Sequence, residues 1–256
     1  MNDAILRENR AYWTGRAPGY SEVNWEELTS AQRAAWRGVL TERIAACFPE
    51  RAPGEIRVLE VGTGPGFFAI LLAEAGYRVT AIDLTPSMLA QARRNAGALG
   101  ERIEFIEMNA EALAFPSGRF DVVVSRNVTW NLPDPERAYG EWARVLKPGG
   151  LLMNFDANWY RYLFDGVAEA AYRRDRENSR REGLADLNVG DNFDRMEEIA
   201  RRLPLSRAER PGWDVETLEG LGLRAETDVD VWQRVWSRRE KVNLASTPLF
   251  MVCAIR

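Results

Sequence analysis

The sequence contains no histidine at all. Histidine is the side chain best suited to act as a general base near neutral pH, and it is a common metal ligand. Its absence excludes sites that depend on a histidine base or a histidine ligand. Cysteine is also scarce, because Cys47 and Cys253 are the only two, lie far apart and match no metal-binding spacing. We therefore expect no metal site and a reducing compartment, the cytoplasm.

Long apolar runs are missing as well. No window approaches the roughly 20 apolar residues of a membrane span, and the first residues, MNDAILRENRAYW, lack the apolar stretch of a signal peptide. The net charge is −4, so we expect no broad attraction to nucleic acids or to anionic membranes. The 256 residues are enough to bury a core without disulfides, in a monomer or a homodimer.

Short apolar segments alternate with helical patterns in the middle of the chain. Strands are predicted at 56–61, 77–82, 102–107, 119–125 and 151–156. This alternation predicts an α/β fold with a mostly parallel sheet covered by helices on both faces. Two final strands are predicted at 223–231 and 249–255. Before the first strand, residues 1–25 are predicted to form a mobile or docking segment and residues 26–48 a helix.

A glycine-rich loop, Gly62-Thr63-Gly64-Pro65-Gly66, follows the first predicted strand. Glycines let the backbone approach a ligand closely, and the N-terminus of the next helix points into the same space. Such a loop is typical of nucleotide binding. The dinucleotide fingerprint requires glycines at x, x+2 and x+5, and the third of these positions is Phe67 here. This departure argues against a nicotinamide dinucleotide.

Two residues after the loop favour an adenosine-containing ligand. Asp83 ends the second predicted strand about 20 residues past the loop, where a carboxylate can accept hydrogen bonds from both ribose hydroxyls. The alternative role for Asp83 is to cap a turn or helix. Met88, in the first turn of the next predicted helix, is placed to pack on an adenine ring. Without the loop upstream, a methionine at this position would more often belong to the core.

Residues 58–93, VLEVGTGPGFFAILLAEAGYRVTAIDLTPSMLAQAR, resemble the first two motifs of class I S-adenosylmethionine-dependent methyltransferases. Residues 109–156, which contain FDVVVS and LKPGG, resemble the next blocks of that family. The resemblance is strong over residues 56–156 and general at the two ends. It implies a Rossmann-like, doubly wound sheet of seven strands, the last of them antiparallel.

Together, the pattern and the resemblance predict four segments. Residues 1–50 form an N-terminal helical lid, and residues 51–158 form the cofactor-binding core. Residues 159–212 form a helical cap insertion. Residues 213–256 complete the core.

The resemblance implies S-adenosylmethionine as the cofactor, S-adenosylhomocysteine as its product, and a role for each matching residue. The methionine part is surrounded by Glu60, Gly62, Thr63 and Gly64. The ribose is held by Asp83. The adenine lies beside Leu84, Met88, Asn109, Ala110 and Glu111. Asn109 stands where the family often has an aspartate, and its amide oxygen can still accept a hydrogen bond.

The resemblance also assigns residues near the methyl donor. Arg126 and Asn127, after the fourth strand, approach it through their backbone. The segment AYWTGRAPGY, residues 11–20, resembles a leader that folds over the cofactor. Arg16 is then expected to pair with the cofactor carboxylate, and Tyr12 or Tyr20 to cover the site. The alternative is a frayed tail.

The acceptor side is predicted from the loops after the fourth and fifth strands. The substrate-pocket candidates, with Tyr12, are Trp130, Asn131, Asn158 and Trp159. If the acceptor is a hydroxyl, the candidate catalytic bases are Asp156 and Tyr160, whereas an amine or thiolate acceptor needs no base. Asp156 has the alternative role of a strand-end cap.

The cap insertion is expected to cover this pocket. Its predicted aromatic lining consists of Trp159, Tyr160, Tyr162, Phe164 and Phe193. Two polar candidates in the same insertion are Asp191 and Asn192. Aromatic walls suit either a planar acceptor or a cationic nitrogen, although each ring alone is more often used for packing.

We predict a methyltransferase that acts on a small molecule by in-line displacement, with an N, O or S acceptor atom. The alternatives are a non-catalytic module that binds S-adenosylmethionine or S-adenosylhomocysteine and a methyltransferase with a protein acceptor. An NAD(P)-dependent oxidoreductase is less favoured because of Phe67. Nucleic acid is disfavoured as an acceptor by the acidic balance and by the lack of a tetrapeptide of the NPPY kind.

Overall fold

The structure is a computed structural model that describes residues 2–187 and 193–256, with the Phe193 side chain left out. Seven strands form one sheet: β1 Arg57–Val61, β2 Arg78–Asp83, β3 Ile103–Glu107, β4 Phe120–Arg126, β5 Leu146–Asp156, β6 Arg224–Asp228 and β7 Phe250–Ile255. The helices before β5 are α1 Asn2–Thr29, α2 Gln32–Cys47, α3 Phe67–Glu74, α4 Pro86–Ala96 and α5 Pro135–Val145. Those after β5 are α6 Gly166–Arg181, α7 Phe193–Ala200, α8 Gly212–Gly220, α9 Val231–Val235 and α10 Arg238–Asn243.

The strands lie in the order β3-β2-β1-β4-β5-β7-β6. Strands β1 to β5 pair in parallel, and β7 lies antiparallel between β5 and β6. This confirms the predicted doubly wound sheet of seven strands with the last one antiparallel. Successive strands are added on one side of β1 up to β3 and on its other side from β4 onward, so the strand order reverses between β1 and β4. Open α/β sheets bind ligands at the carboxyl edge of such a point.

Each face of the sheet is covered by an apolar layer. On one face, the Trp36 ring packs against Phe67, Phe68 and Phe155, with centroids 6.4, 5.1 and 5.2 Å away. The other face is built around Trp142 of α5. Phe67, the residue that breaks the dinucleotide fingerprint, is therefore a core residue at the start of α3 and is 2% exposed.

The N-terminal region differs from its prediction, because α1 is one continuous helix rather than a mobile segment followed by a helix. Its buried residues recur at helical spacing and are mostly small or polar: Ile5, Asn9, Ala17, Ser21, Asn24, Glu27 and Leu28. Pro18 lies inside the helix and has no N–H for the Thr14 carbonyl. That carbonyl instead accepts a bond from the Ser87 hydroxyl at 3.5 Å.

Near the other end of the chain, the strand predicted at 223–231 is too long. Strand β6 ends at Asp228, and Val231 begins α9 instead. Val231 is fully buried, so the apolar signal at this position reflects packing of a short helix on the sheet. None of the helices in the described ranges has the length and apolar character that crossing a bilayer requires.

Candidate active site

Two cavities adjoin at the carboxyl edge of the sheet. The first, the glycine-loop cavity, measures about 770 Å³ including its open mouth and lies between the glycine loop, the ends of β2 and β4, and α1. The second, the aromatic cavity, measures about 540 Å³. Trp13, Tyr20 and Asn127 line both of them. A ligand in one cavity therefore lies next to a ligand in the other.

Most of the residues predicted to bind the cofactor line the glycine-loop cavity. They are Tyr20, Gly62, Gly64, Asp83, Leu84, Met88, Asn109, Ala110, Arg126 and Asn127. Asn131, predicted for the acceptor pocket, lines this cavity too. Four predicted cofactor residues are not part of its lining: Arg16, Glu60, Thr63 and Glu111.

Asp83 connects the glycine loop to the end of β2. Its Oδ2 accepts a bond from the Gly64 N–H at 2.9 Å, and its Oδ1 accepts one from the Thr85 N–H at 2.8 Å. Burial raises the pKa of the carboxyl group, while these two donors oppose that shift. The two roles proposed for Asp83 are thus compatible, because it caps the local turn and still lines the cavity.

Gly62 allows the loop to approach β4 closely. Its φ is +68°, and a Cβ atom added there would overlap Cγ2 of Val128 and lie 3.2 Å from its Cγ1. Val128 itself lines the glycine-loop cavity. A side chain at position 62 would therefore push the loop away from β4 and change the shape of the cavity.

We expect Gly62→Ala to lower the free energy of unfolding more than Gly118→Ala does. Both glycines have a φ of +68°, but a Cβ at Gly118 meets no atom within 4 Å. The backbone strain is therefore matched, and the difference reports the overlap with Val128, about 1–3 kcal/mol. Urea unfolding measures both variants. Equal losses would show that the loop has room to move.

Glu60, in β1, and Thr63, in the glycine loop, are absent from the lining of the glycine-loop cavity. The Thr63 hydroxyl donates to Oε2 of Glu60 at 2.6 Å, and both side chains are buried. Burial raises the pKa of Glu60 to about 8. This bond supports the glycine loop, and the predicted place of the two residues around the methionine part of the cofactor stays a prediction.

The raised pKa of Glu60 predicts a specific pH dependence. Because the folded pKa lies above the ordinary 4.5, the folded state binds more protons than the unfolded state between these values. The free energy of unfolding therefore falls as the pH rises from 5 to 8, with Glu60 contributing roughly 2–4 kcal/mol. Glu60→Gln should remove that part of the slope in urea unfolding at several pH values. An unchanged slope would show that Glu60 is ionised throughout.

Glu111 is also a supporting residue. It is 5% exposed, and its Oε1 accepts a bond from the Asp134 N–H at 2.8 Å, just before α5. Asn109 lines the cavity, and its Oδ1 accepts from the Glu111 N–H at 3.0 Å. The Glu111 side chain is thus directed to the start of α5, and the place of Glu111 beside the adenine stays a prediction.

Helix α1 covers the glycine-loop cavity and contributes wall residues that the sequence analysis did not identify: Leu6, Asn9, Arg10 and Trp13. The Asn9 Nδ2 donates to the Asn131 carbonyl at 2.7 Å. Near the other end of the helix, Glu27 forms a two-bond ion pair with Arg126 at 2.7 and 2.8 Å. These contacts attach the helix to the end of β4.

Arg126 is held inside the protein rather than only through its backbone. Its guanidinium lies over the rings of Trp36, Phe67 and Phe68, at 5.2, 4.5 and 5.2 Å from their centroids. The buried ion pair with Glu27 raises the pKa of Arg126. Arg16 lines an adjoining recess that contains Glu27 and shares Tyr20 and Asn127 with the glycine-loop cavity. Its expected pairing with a cofactor carboxylate stays a prediction.

Three buried amide oxygens around the cavity have no hydrogen-bond partner in the described part of the chain. They belong to Asn9, Asn127 and Asn131, all of which line the glycine-loop cavity. Buried acceptors without partners are costly, and a ligand rich in N–H and O–H donors would satisfy them. Leu84, Met88 and the other apolar wall residues suit a flat ring. The lining therefore fits an adenosine with an amino-acid chain.

Among the described residues, the lining of the aromatic cavity consists of Asn127 and six aromatic side chains: Trp13, Tyr20, Trp130, Trp159, Tyr160 and Tyr162. The ring of Tyr160 lies 5.1 Å from Trp130 and 5.9 Å from Tyr162, centroid to centroid. Asn127, which lies between the two cavities, has a φ of +58°. A left-handed conformation at a non-glycine residue is costly and is often found at functional sites.

Residues 59–154 match a family model described as a methyltransferase domain. This match covers the glycine loop, Asp83, Asn109 and Asn127. The last three, with Gly62 and Gly64 of the loop, line the glycine-loop cavity. The chain carries a class I S-adenosylmethionine-dependent methyltransferase domain. Outside residues 59–154, α1 and the insertion after β5 supply the parts of the site that the family model does not cover.

Two curated relatives share this methyltransferase domain. The demethylmenaquinone methyltransferase of Thermus thermophilus is 45% identical over 139 residues, which are 54% of this chain and 60% of the relative. The ubiquinone/menaquinone biosynthesis C-methyltransferase UbiE of Methylobacterium nodulans is 40% identical over 127 residues, 48% of this chain and 49% of the relative. The chain thus matches less than two thirds of the length of either protein.

Solved structures show the same fold at low sequence identity. A SAM-dependent methyltransferase from Aquifex aeolicus has a TM-score of 0.56 and 18% identity, over 90% of this chain and 95% of that one. The [4+2]-cyclase SpnF has a TM-score of 0.51 and 18% identity, over 85% of this chain and 80% of that one. Since a cyclase shares the fold, the fold alone does not determine the reaction.

In this methyltransferase domain, Asp156 is not available as a general base. It is fully buried and lines neither cavity. Both of its oxygens accept hydrogen bonds, from the Thr129 hydroxyl, the N–H groups of Trp130 and Ala157, the Trp159 indole and the Arg210 guanidinium. The predicted catalytic role is therefore corrected. Asp156 instead positions Trp130 and Trp159, two walls of the aromatic cavity.

The Asp156 carboxylate belongs to a buried polar network. Arg210, with a fully buried side chain, binds Asp156 at 2.8 Å and Asp214 of α8 at 2.6 Å. Asp214 in turn accepts a bond from the Tyr139 hydroxyl, and Asn154 donates to the same hydroxyl at 2.8 Å. The network joins β5, α5 and α8, and through Asp156 it reaches Trp130 and Trp159 of the aromatic cavity.

We expect Asp156→Asn to lower the free energy of unfolding by about 2–4 kcal/mol, because it removes a buried charged partner of Arg210. The affinity for S-adenosylhomocysteine should stay within about threefold, since Asp156 is separate from the glycine-loop cavity. Urea unfolding and calorimetric titration measure the two effects. A large loss of affinity with little loss of stability would contradict this positioning role.

Tyr160, the other predicted catalytic residue, does line the aromatic cavity. Burial raises the pKa of its phenol, so the group stays protonated at neutral pH and is a poor base. This disfavours its predicted role as a base, and we propose that Tyr160 contributes an aromatic wall instead.

The remaining acceptor candidates are divided between wall and support. Trp130 and Trp159 line the aromatic cavity, whereas Tyr12 and Asn158 line neither cavity. Tyr12 packs edge-on against Trp13, and Asn158 holds the backbone of Arg210. Phe164 is 38% exposed and stacks on Arg207. Asp191, Asn192 and the Phe193 side chain lie outside the described residues.

Proposed function

We propose that this chain transfers a methyl group from S-adenosylmethionine to a small-molecule acceptor. The observation that carries the proposal is the junction of the two cavities. The glycine-loop cavity fits an adenosine with an amino-acid chain, and the aromatic cavity opens beside it. Trp13, Tyr20 and Asn127, which line both cavities, would then surround the point where donor and acceptor meet.

The residues of the glycine-loop cavity would bind and orient the cofactor. Asp83 offers a carboxylate for the ribose hydroxyls, Met88 and Leu84 an apolar surface for the adenine, and the amide oxygens of Asn127 and Asn131 acceptors for donor groups. When bound, S-adenosylmethionine supplies a methyl group on a sulfonium that is already activated. The protein then contributes mainly orientation and the exclusion of water, which suits a site without histidine.

Helix α1 would exclude water from the site. It carries Trp13 and Tyr20 over both cavities, and Glu27 attaches it to Arg126 at the end of β4. A sulfonium and its acceptor would be enclosed between this helix and the sheet. This supports a role for the N-terminal segment as a lid.

The names of the relatives support a small acceptor. The Thermus and Methylobacterium proteins are named for methyl transfer to quinones, which are small molecules. The aromatic cavity measures about 540 Å³ including its open mouth, a size that is typical of small-molecule sites. The two free thiols, Cys47 and Cys253, fit a reducing compartment, and we propose the cytoplasm.

The test is methyl transfer itself. The protein is incubated with methyl-labelled S-adenosylmethionine and a cell metabolite extract, and mass spectrometry searches for a product that gains CH2. We expect a labelled small molecule. Label in the protein fraction would favour a protein acceptor, and cofactor binding without any labelled product would favour the non-catalytic module.

A further inference from the structure

Two ring donors of the aromatic cavity are directed to carboxylates outside its lining. The Trp159 indole N–H donates to Asp156 at 3.0 Å, and the Tyr162 hydroxyl donates to Glu197 at 2.7 Å. Neither carboxylate lines the cavity. A ring whose N–H or O–H donates to a carboxylate becomes richer in electrons, so its face attracts a cation more strongly.

Trp130 follows the same pattern with a neutral partner. Its indole N–H donates to the Asn127 carbonyl at 3.0 Å. The ring remains part of the wall, but its only hydrogen-bond donor is occupied. An acceptor that enters this cavity therefore meets a wall made mostly of π surface.

The cavity also lacks a base. Among the described residues that line it, none has a carboxylate or an amine. Burial raises the pKa of Tyr20 and of Tyr160, so these phenols remain protonated. Two nearby charges have opposite effects on the pKa of Tyr160, since Glu197 raises it and Arg16 lowers it. The cavity is therefore poorly suited to methylate a hydroxyl or a ring carbon, because such an acceptor must lose a proton to a base.

From these observations we propose that the acceptor is a tertiary amine, which the aromatic cavity binds and whose quaternary ammonium product it stabilises by cation–π contacts. This inference rests on the proposed methyltransferase function. The amine lone pair forms a bond to the methyl carbon while the carbon–sulfur bond breaks and its electron pair stays on sulfur. The positive charge moves from sulfur to nitrogen. No proton is lost, so no base is required.

The experiment compares a quaternary ammonium with a neutral molecule of the same shape. The protein is first saturated with S-adenosylhomocysteine, and the tryptophan fluorescence is then titrated with choline or with 3,3-dimethylbutan-1-ol, its carbon isostere. Cation–π contacts to several rings should make choline bind at least about tenfold more tightly. Equal affinities, or no saturable binding of choline, would overturn the inference.

Paired variants locate the effect. Trp159→Leu should abolish the preference for choline, whereas Trp159→Phe, which keeps an aromatic face, should retain most of it. Tyr162→Phe, which keeps the ring but loses the bond to Glu197, should reduce the preference by about two- to threefold. Trp25→Leu is the fluorescence control, because Trp25 is 52% exposed and lines neither cavity. Should Trp159→Leu fail to fold, the isostere comparison and the other two variants still decide the question.

The outcomes separate this inference from the proposed function. Failure to bind S-adenosylhomocysteine at all would remove the methyltransferase proposal. Tight binding of S-adenosylhomocysteine, with hydroquinone bound more tightly than choline, would leave methyl transfer standing and overturn the amine. A preference for choline that is lost only in Trp159→Leu would support both.

Discussion

Replacing Asp83 by alanine should weaken binding of S-adenosylhomocysteine by roughly 100- to 1,000-fold. The reason is that the carboxylate's charge-assisted hydrogen bonds to the glycine loop and to the ribose are lost together. The carboxylate holds the glycine loop through the Gly64 N–H at 2.9 Å and lines the cavity where the ribose would lie. Without it, the loop loses its anchor to β2 and the ligand loses an acceptor. Calorimetric titration measures the change directly.

Asp228→Ala is a matched control for this variant. Asp228 is also the last residue of a strand, and its Oδ1 also accepts a bond from the backbone N–H two residues later, at 3.0 Å. It does not line the glycine-loop cavity. We expect unchanged affinity for Asp228→Ala. Unchanged affinity for Asp83→Ala as well would remove the ribose assignment.

Glu27→Ala should lower the free energy of unfolding by about 3–5 kcal/mol, since it leaves the Arg126 guanidinium buried without its partner. The two side chains are 9% and 11% exposed, and their ion pair joins α1 to β4. Because α1 carries Trp13 and Tyr20, the variant should also bind S-adenosylhomocysteine more weakly. Urea unfolding and calorimetric titration test the two parts.

The neighbouring residue provides the control. Glu26 has a side chain that is 72% exposed, and its ion pair with Arg239 spans 3.8 Å, so Glu26→Ala should change stability by less than about 0.5 kcal/mol. The double variant Glu27→Leu with Arg126→Met should recover much of the loss, because an apolar pair can replace a buried ion pair. A loss below about 1 kcal/mol for Glu27→Ala would show that α1 is held elsewhere.

The sheet could be predicted from the sequence because its strands are short apolar segments at regular spacing. The last strand, with the run from Phe250 to Ile255, and the loop after β1 carry strong local signals. Such signals depend on a residue's own type and its neighbours in sequence. They are sufficient for the order of elements, for the glycine loop and for Asp83 and Met88. The antiparallel last strand and the other predicted residues of the glycine-loop cavity came from the family resemblance.

Helix α1 could not be predicted in the same way. Its buried face uses Asn9, Ala17, Ser21 and Asn24, which are too small or too polar to produce an apolar stripe. They pack closely on the rest of the molecule, for instance where Ser21 meets Asn95 of α4. The spacing of these residues is helical, but their hydropathy hides it. Trp13, a wall of both cavities, was missed for this reason.

The roles of Asp156 and Glu111 could not be inferred because the partners that decide them are distant in sequence. Arg210, which binds Asp156, lies 54 residues away, and nothing near Asp156 indicates that its oxygens are occupied. A carboxylate at the end of a strand looks the same whether it faces a ligand or a buried arginine. Only the tertiary structure distinguishes a base from a residue that positions two indoles.

The central claim, that the glycine-loop cavity binds the methyl-donor cofactor, is tested most directly by calorimetric titration of the wild-type protein with S-adenosylhomocysteine and, separately, with NAD. We expect one S-adenosylhomocysteine molecule to bind per chain with a dissociation constant in the range of about 1–100 μM, and no heat of binding with NAD. Saturable binding of NAD without binding of S-adenosylhomocysteine would contradict it.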